Sequence, residues 1–405
     1  MRNRNVLISG ASIAGPALAY WLRRRGFSPT VVERAPEPRP GGQAIDLRGA
    51  GRDAAERMGL MPEIRRAHTG VRGMAFVDEA NRRVATMPAE MLGGSGGIVA
   101  EVEILRGDLV GILYAATRDD VEYVFDDSIT ALHQREEGVE VTFQRGAPRA
   151  FDLVVGADGL HSNVRSLAFG PESEFVEDMG YNLAIFGAPS PLDLDGWELM
   201  YPAPPSRMAG LYPVRDGDAR AMLFFASPPL EHDRRDLAQQ KRIVAERFAD
   251  VGWAVPRLLD AIWEATDFYF DRACRIRMGR WSTGRVAVLG DAGFGGSVGM
   301  GTSMALVGAY VLAGELAAAE RDHRTAFARY EAAMRPYVER NLKPLPGGVN
   351  GFLPRTRRGV WLRTQAMRLL PHLPFKGALM GGIEKAASAI ALPDYPSPAG
   401  VPSGA

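Results

Sequence analysis

Val6-Leu7-Ile8-Ser9-Gly10-Ala11-Ser12-Ile13-Ala14-Gly15-Pro16 is the stretch that decides the fold. Three apolar residues read as a short buried strand, and Ser9-Gly10 ends it. Pro16 to Arg25 has helical character, with Pro16 in the first turn, where a missing N–H costs nothing. Gly26 stops the helix, and Thr30-Val31-Val32-Glu33 reads as the next strand. Two parallel strands joined by a helix make a βαβ unit. The turn between them is a G-x-G-x-x-G pattern with Ser12 in the middle position. Gly10 permits the tight turn, the small Ser12 lets a pyrophosphate approach the backbone, and Gly15 lets the helix pack close to the sheet. The backbone of Ile13 and Ala14 then lies at a helix N-terminus, which attracts phosphate. Glu33, followed by Arg34, ends the second strand, where a carboxylate accepts hydrogen bonds from ribose hydroxyls. An acid there disfavours a 2′-phosphate, so the expected nucleotide is FAD or NAD rather than NADP. An ordinary βα turn without a ligand is the competing reading.

Two later stretches repeat the strand-then-turn theme. Asp152-Leu-Val-Val-Gly-Ala-Asp158-Gly159 ends a buried strand and leads into a short helix carrying Arg165. Gly284-Arg-Val-Ala-Val-Leu-Gly290-Asp291 does the same ahead of an apolar helix. Between them the pattern changes. Strand-like runs at 181–187, 197–201, 208–213 and 220–226, split by Pro, Asp and Gly, predict a mostly antiparallel sheet, and helices follow near 236–248 and 255–264. Further helices are expected at 49–67 and 105–117, and strands at 72–77, 83–87, 121–125, 128–133 and 139–144. From residue 299 the chain reads as helical, broken by Pro336, Pro344, Pro346, Pro354, Pro371 and Pro374.

The whole chain is 405 residues, with 48 Lys or Arg against 48 Asp or Glu. That length suggests two or three domains, and 46% hydrophobic with 24% charged residues excludes a largely disordered chain. Zero net charge gives no support for nucleic-acid or acidic-membrane binding. Only four basic residues are Lys, so runs such as Arg355/Arg357/Arg358 read first as solvated faces. A single cysteine, Cys274, excludes an internal disulfide and a cysteine-cluster metal site, and the six histidines lack ligand spacing, so no metal is expected. Residues 298–319 carry one charge and could span a bilayer by length, but small residues dominate them, so a buried helix is expected and no membrane insertion. A cytoplasmic monomer or homodimer is the resulting expectation.

The three strand-turn motifs, in this order and spacing, resemble the single-component FAD-dependent aromatic hydroxylases, the family of para-hydroxybenzoate hydroxylase and the tetracycline-inactivating monooxygenases. The likeness covers about residues 5 to 340. It implies an α/β fold: a Rossmann-like FAD-binding domain from 1–68, 98–178 and 272–340, an inserted sheet domain from 69–97 and 179–271 as a substrate roof, and a helical segment at 341–405. It implies that Gly10 to Gly15 hold the FAD pyrophosphate and Glu33 the adenosine ribose. Asp158-Gly159 corresponds to a motif linked to FAD and reduced-nicotinamide binding, and Asp291 to the aspartate at the flavin-side ribose. Gly299-Met300-Gly301 would approach the flavin ring through backbone groups. Arg106 and Asp46 look like family positions beside the cofactor, although a helix-end ion pair and a turn cap are their plain readings. Arg34 and Ile129 are carried over as further cofactor neighbours.

The implied activity is monooxygenation of an aromatic or polyketide-like small molecule, with FAD as cofactor, NAD(P)H as transient reductant and dioxygen as co-substrate. Phe186, Tyr212, Phe224 and Phe294 are candidates for the substrate wall, and no side chain stands out as a catalytic base. One departure stands against the family pattern. After Asp291 the stretch Ala-Gly-Phe-Gly-Gly-Ser-Val has no histidine, no proline, and about two residues fewer by hand alignment. It motivates two alternatives: an FAD dehydrogenase or cyclase that does not oxygenate, and, from the first motif alone, an NAD-dependent dehydrogenase.

Overall fold

The computed structural model describes residues 4–39, 41–88, 102–214, 218–297, 299–320, 322–342, 347–369, 382 and 385–395. In chain order the first half comprises β1 (Asn5–Ser9), α1 (Ala14–Arg24), β2 (Ser28–Glu33), β3 (Ala44–Leu47), α2 (Ala50–Arg57), α3 (Met61–Arg66), β4 (Gly73–Val77), β5 (Arg83–Pro88), β6 (Val102–Leu105), α4 (Arg106–Ala115), β7 (Glu122–Phe125), β8 (Ile129–Gln134), β9 (Val139–Phe143), β10 (Arg149–Phe151), β11 (Leu153–Gly156) and α5 (Asn163–Phe169). Then come β12 (Val176–Pro189), β13 (Trp197–Ala203), β14 (Arg207–Pro213), β15 (Asp218–Ala226), α6 (Leu237–Phe248), α7 (Val255–Ala261), β16 (Tyr269–Ile276), β17 (Ser282–Thr283), β18 (Val286–Val288), α8 (Asp291–Phe294), α9 (Gly301–Ala318), α10 (His323–Asn341), α11 (Gly348–Phe352) and α12 (Arg357–Leu369).

Six strands form the first sheet in the order β17-β18-β11-β1-β2-β7. β18, β11, β1, β2 and β7 run parallel, with Val6 to Ser9 in register with Leu153 to Gly156 on one side and Pro29 to Val32 on the other. Strands covered on both faces must be apolar throughout, and β1, β11 and β18 are buried from Val6, Leu153 and Val286 onward. α1 and α9 pack on one face, α9 sealed by Tyr310, Val311 and Leu312. α9 is, among the described residues, the one helix long and apolar enough to cross a membrane, and 72% of it is buried inside the fold.

The second sheet has seven strands, β16-β12-β15-β14-β13-β4-β5, drawn from residues 73–88 and 176–276. Its side chains alternate between two faces. The back face (Ala184, Phe186, Leu199, Leu211, Leu223, Phe225) packs against Val244 and Phe248 of α6 and Val255 and Leu258 of α7. The front face (Phe76, Tyr181, Met200, Met208, Met222, Phe224) meets Phe352 and Leu353 at the end of α11 and Met367 of α12.

Several expected boundaries shift. The single helix expected at 49–67 is two, parted at Gly59-Leu60, and the buried strand expected ahead of Asp158 begins at Leu153, with Asp152 parting it from β10. The break expected at Pro336 is absent: α10 runs through it, because Met334, Tyr337 and Val338 on either side are buried against the core. Pro344, Pro346, Pro371 and Pro374 lie outside the described residues.

Candidate functional site

Four neighbouring parallel strands deliver the expected residues to one edge. Gly10 follows β1, Glu33 ends β2, Asp158-Gly159 follows β11 and Asp291 follows β18, all at carboxyl ends of adjacent strands. That edge is where ligands bind in open α/β sheets.

The glycine turn is sterically forced. A Cβ on Gly15 would lie 1.9 Å from the Gly10 carbonyl oxygen, and one on Gly10 would lie 2.5 Å from that of Ala157. Gly10 has φ +107° and donates its N–H to the Val32 carbonyl at 2.7 Å. Side chains at these two positions would collide with the backbone just after β1 and of the turn after β11, so glycine is what lets α1 start this close to the sheet, the geometry a dinucleotide-binding turn requires. Glu33 takes part in building the turn as well as facing it. Its two carboxylate oxygens accept the backbone N–H groups of Ala11 and Ala35, each at 2.9 Å. Lone pairs remain on both oxygens for ribose hydroxyls. Arg34 is exposed beside it.

Arg106 opens α4 and reaches back across 94 residues, its Nη2 donating to Ser12 Oγ at 2.9 Å. It thus stands at the glycine turn rather than in a helix-end ion pair. Asp291 lies across the cleft. Among the described residues no donor reaches its carboxylate. The side chain is open to the cleft, yet the surrounding protein strips away enough water to push its carboxyl above the usual range, with Arg106 pulling the other way. A deep carboxylate without a protein partner, beside Gly301 at the start of α9, fits a sugar hydroxyl pair. Met300 is buried at the helix N-cap, so Gly299 and Gly301 are what the turn presents. Asp46 sits near Gly299, about 3.6 Å from where a Cβ would stand, and pairs with Arg48 at 2.6 Å.

Asp158 serves its own segment. Val164 N–H donates to it at 3.0 Å and Ser162 Oγ also donates, capping α5. Arg165, fully buried, donates to the carbonyls of Leu160 at 2.7 Å and Ala292 at 2.9 Å, and so links the second and third motifs. His161 is held by Glu172 on Nδ1 at 3.0 Å and Asp271 on Nε2 at 2.9 Å.

Opposite this edge stands the front face of the second sheet. Tyr212, a predicted wall residue, is on it, its hydroxyl accepting the Ala44 N–H at 2.9 Å. Phe224 is on it too, edge-on to Phe352. Phe186 is not. It points to the back face, fully buried and 6.1 Å from the Phe268 ring, because it is two residues from Ala184 and one from Ile185 in a strict alternation. Phe294 is also core, packed on Trp281 at 4.9 Å between ring centres. The Ile129 side chain is buried with Val164 and Val32.

The front face, and β6 beside it, carry polar groups that the sequence reading missed. Glu198 alternates with Met200 on β13 and faces the same side. Burial, then Glu103 and Asp46, push its carboxyl up to about 8. Glu103, 8% exposed, is pushed up to about 7 by burial and Asp46, against the Thr69 hydroxyl that donates to it at 2.6 Å. Arg220 pairs with Asp267 beside Gly41. Tyr269, half open to the cleft, donates to Asp271 at 3.2 Å, and burial raises its phenol. Glu198 was legible as an acid inside an otherwise apolar strand, W-E-L-M-Y; the others carry no local signal.

Residues 3–343 match a family model described as FAD binding domain. A flavin-dependent monooxygenase from an unknown prokaryotic organism is 38% identical over 400 residues, covering 97% of this chain and 99% of its own. An uncharacterized protein of Mycobacterium tuberculosis (strain ATCC 25618 / H37Rv) is 48% identical over 352 residues, covering 85% of this chain and 94% of its own. Among solved structures, that of tetracycline destructase Tet(51) superposes with a TM-score of 0.82 at 34% identity, covering 98% of this chain and all of that one.

Proposed function

From a chain that belongs to the FAD binding domain family and is a flavin-dependent monooxygenase, we propose an enzyme that inserts one oxygen atom of dioxygen into a neutral, oxygen-rich aromatic or polyketide-like molecule, with NAD(P)H as electron source. FAD, when bound, supplies the redox and oxygen chemistry. The protein's part is placement and exclusion of water. Gly10 to Gly15 and Arg106 would receive the pyrophosphate, Glu33 the adenosine ribose and Asp291 the flavin-side ribose. The N-terminus of α9 at Gly301 turns its positive dipole end toward the cleft, where it stabilises negative charge.

The observation that carries the substrate class is the front face. Its partly open apolar side chains are Met222 and Phe224, and Met adapts to irregular ring systems. Glu198, with its carboxyl near 8, stays largely protonated at neutral pH and offers an O–H donor in place of a charge. Such a wall accepts phenol and ketone oxygens on a flat apolar body. The test is turnover under labelled dioxygen with NAD(P)H across a panel of phenols and aromatic polyketides. One labelled oxygen atom per product molecule supports the reading. Hydrogen peroxide alone, with no labelled product from any of the panel, overturns it.

A further inference from the structure

The zero net charge of the chain hides a strong local asymmetry. Residues 340–383 contain eight Lys or Arg and no Asp or Glu, so the remainder carries a net −8. α12 lies within this segment and has two unlike sides. Its inner side is keyed into the fold. Thr364 is buried, Met367 packs in the front-face core, and the Arg363 guanidinium sits 5.0 Å from the Phe76 ring centre while donating to the Phe352 carbonyl at 2.5 Å. Its outer side exposes Trp361 by 60%, Leu362 by 61% and Leu369 by 60%. Arg357, Arg358 and Arg368 are exposed with them. At about 3.6 residues per turn these six fall within one half of the helix circumference. Trp361 and Leu362 are among only seven large apolar side chains so exposed in the described residues, and three of the seven are on this one helix.

We propose that the outer face of α12 docks the enzyme on an anionic lipid surface. Interleaved arginine, tryptophan and leucine on one helix face is the composition of an interfacial helix: the guanidinium groups meet lipid phosphates while the apolar side chains enter the headgroup boundary. A second copy of the chain fits worse. A two-fold contact sets a patch against itself, and this patch would oppose arginines with no acid among them. Nucleic acid would engage the arginines and leave Leu362 and Leu369 without use. The docking helix is one layer from the front face of the sheet, so an apolar substrate held in a bilayer has a short path to the cleft. The helix lies on the surface and does not span the bilayer.

The experiment is co-sedimentation of the flavin-loaded enzyme with vesicles of phosphatidylcholine alone and of phosphatidylcholine with phosphatidylglycerol. Binding to the mixed vesicles only is expected, weakening at least tenfold as salt rises from about 0.1 to 0.5 M. The double variant Trp361→Ala/Leu362→Ala should bind the mixed vesicles at least tenfold more weakly, and Arg357→Gln/Arg358→Gln should reduce both affinity and salt dependence. Flavin content and circular dichroism report that each variant is folded. No binding to mixed vesicles at low salt, equal binding by the Trp361/Leu362 variant, competition by double-stranded RNA at the same face, or a dimer in sedimentation velocity that this variant dissociates would each overturn the proposal.

Discussion

Arg165 Nη1 donates to the Ala292 carbonyl at 2.9 Å, tying residues 127 positions apart through a guanidinium with no solvent exposure. The second and third motifs are therefore held at a fixed separation from inside the protein. Arg165→Met removes two hydrogen bonds and orphans two buried carbonyls. We expect a loss of about 3 kcal/mol, read as a lower thermal midpoint, with flavin affinity falling in parallel. An unchanged midpoint would mean that these carbonyls find other donors.

Arg106 separates cofactor binding from packing. It touches Ser12 by side chain and favours the ionised Asp291 carboxylate electrostatically. Arg106→Ala should weaken FAD binding about tenfold or more, measured by flavin fluorescence on titration of apoprotein, while Ser12→Ala costs less, since the charge persists. Equal small losses in both would reduce the pair to a structural contact.

Gly15→Ala places a Cβ 1.9 Å from a backbone oxygen that cannot move without disturbing β1. The expected cost is about 3 kcal/mol or more, with the protein recovered largely free of flavin. Normal yield and full flavin content would show that the turn relaxes.

The cleft acids set a pH dependence. Glu103 and Glu198 hold their carboxyls near 7 and 8, above the values in an unfolded chain. The native state therefore binds more protons than the unfolded one between about pH 4 and 8, and stability falls as pH rises through that window. Glu198→Gln should remove its share, raising stability at pH 8 by on the order of 2 kcal/mol and leaving it nearly unchanged at pH 4. Denaturant titrations at the two pH values decide the sign.

The nucleotide edge was legible because its requirements are local. A strand must be apolar, a turn must lack Cβ atoms, and a helix must start at once, so β1, β11 and β18 announced themselves. β16 did not: Y-F-D-R-A-C-R-I carries Asp271, Arg272 and Arg275, which obscure its alternation and are satisfied by His161 and by Asp178 and Glu177 of the adjacent β12. β3 and β6 were missed for their length of four residues each. Phe186 and Phe224 could not be told apart by composition. A one-residue difference in parity sends one under α6 and the other to the cleft side, and parity is fixed by register against β12 and β15 rather than by either residue.

The methionine-rich front face has a chemical cost for an enzyme that handles dioxygen. Met222 is half-buried beside Phe224 on this wall, with Met200 and Met208 buried in the same cluster, and thioethers are oxidised readily by peroxide. Each turnover that releases peroxide in place of product exposes that wall to its own waste. A sulfoxide there adds a polar oxygen where the packing admits none. Turnover lifetime would then track how well each substrate couples reduction to oxygen insertion, and the lining would age as a mass gain of about 16 Da per event, erased by methionine sulfoxide reductase.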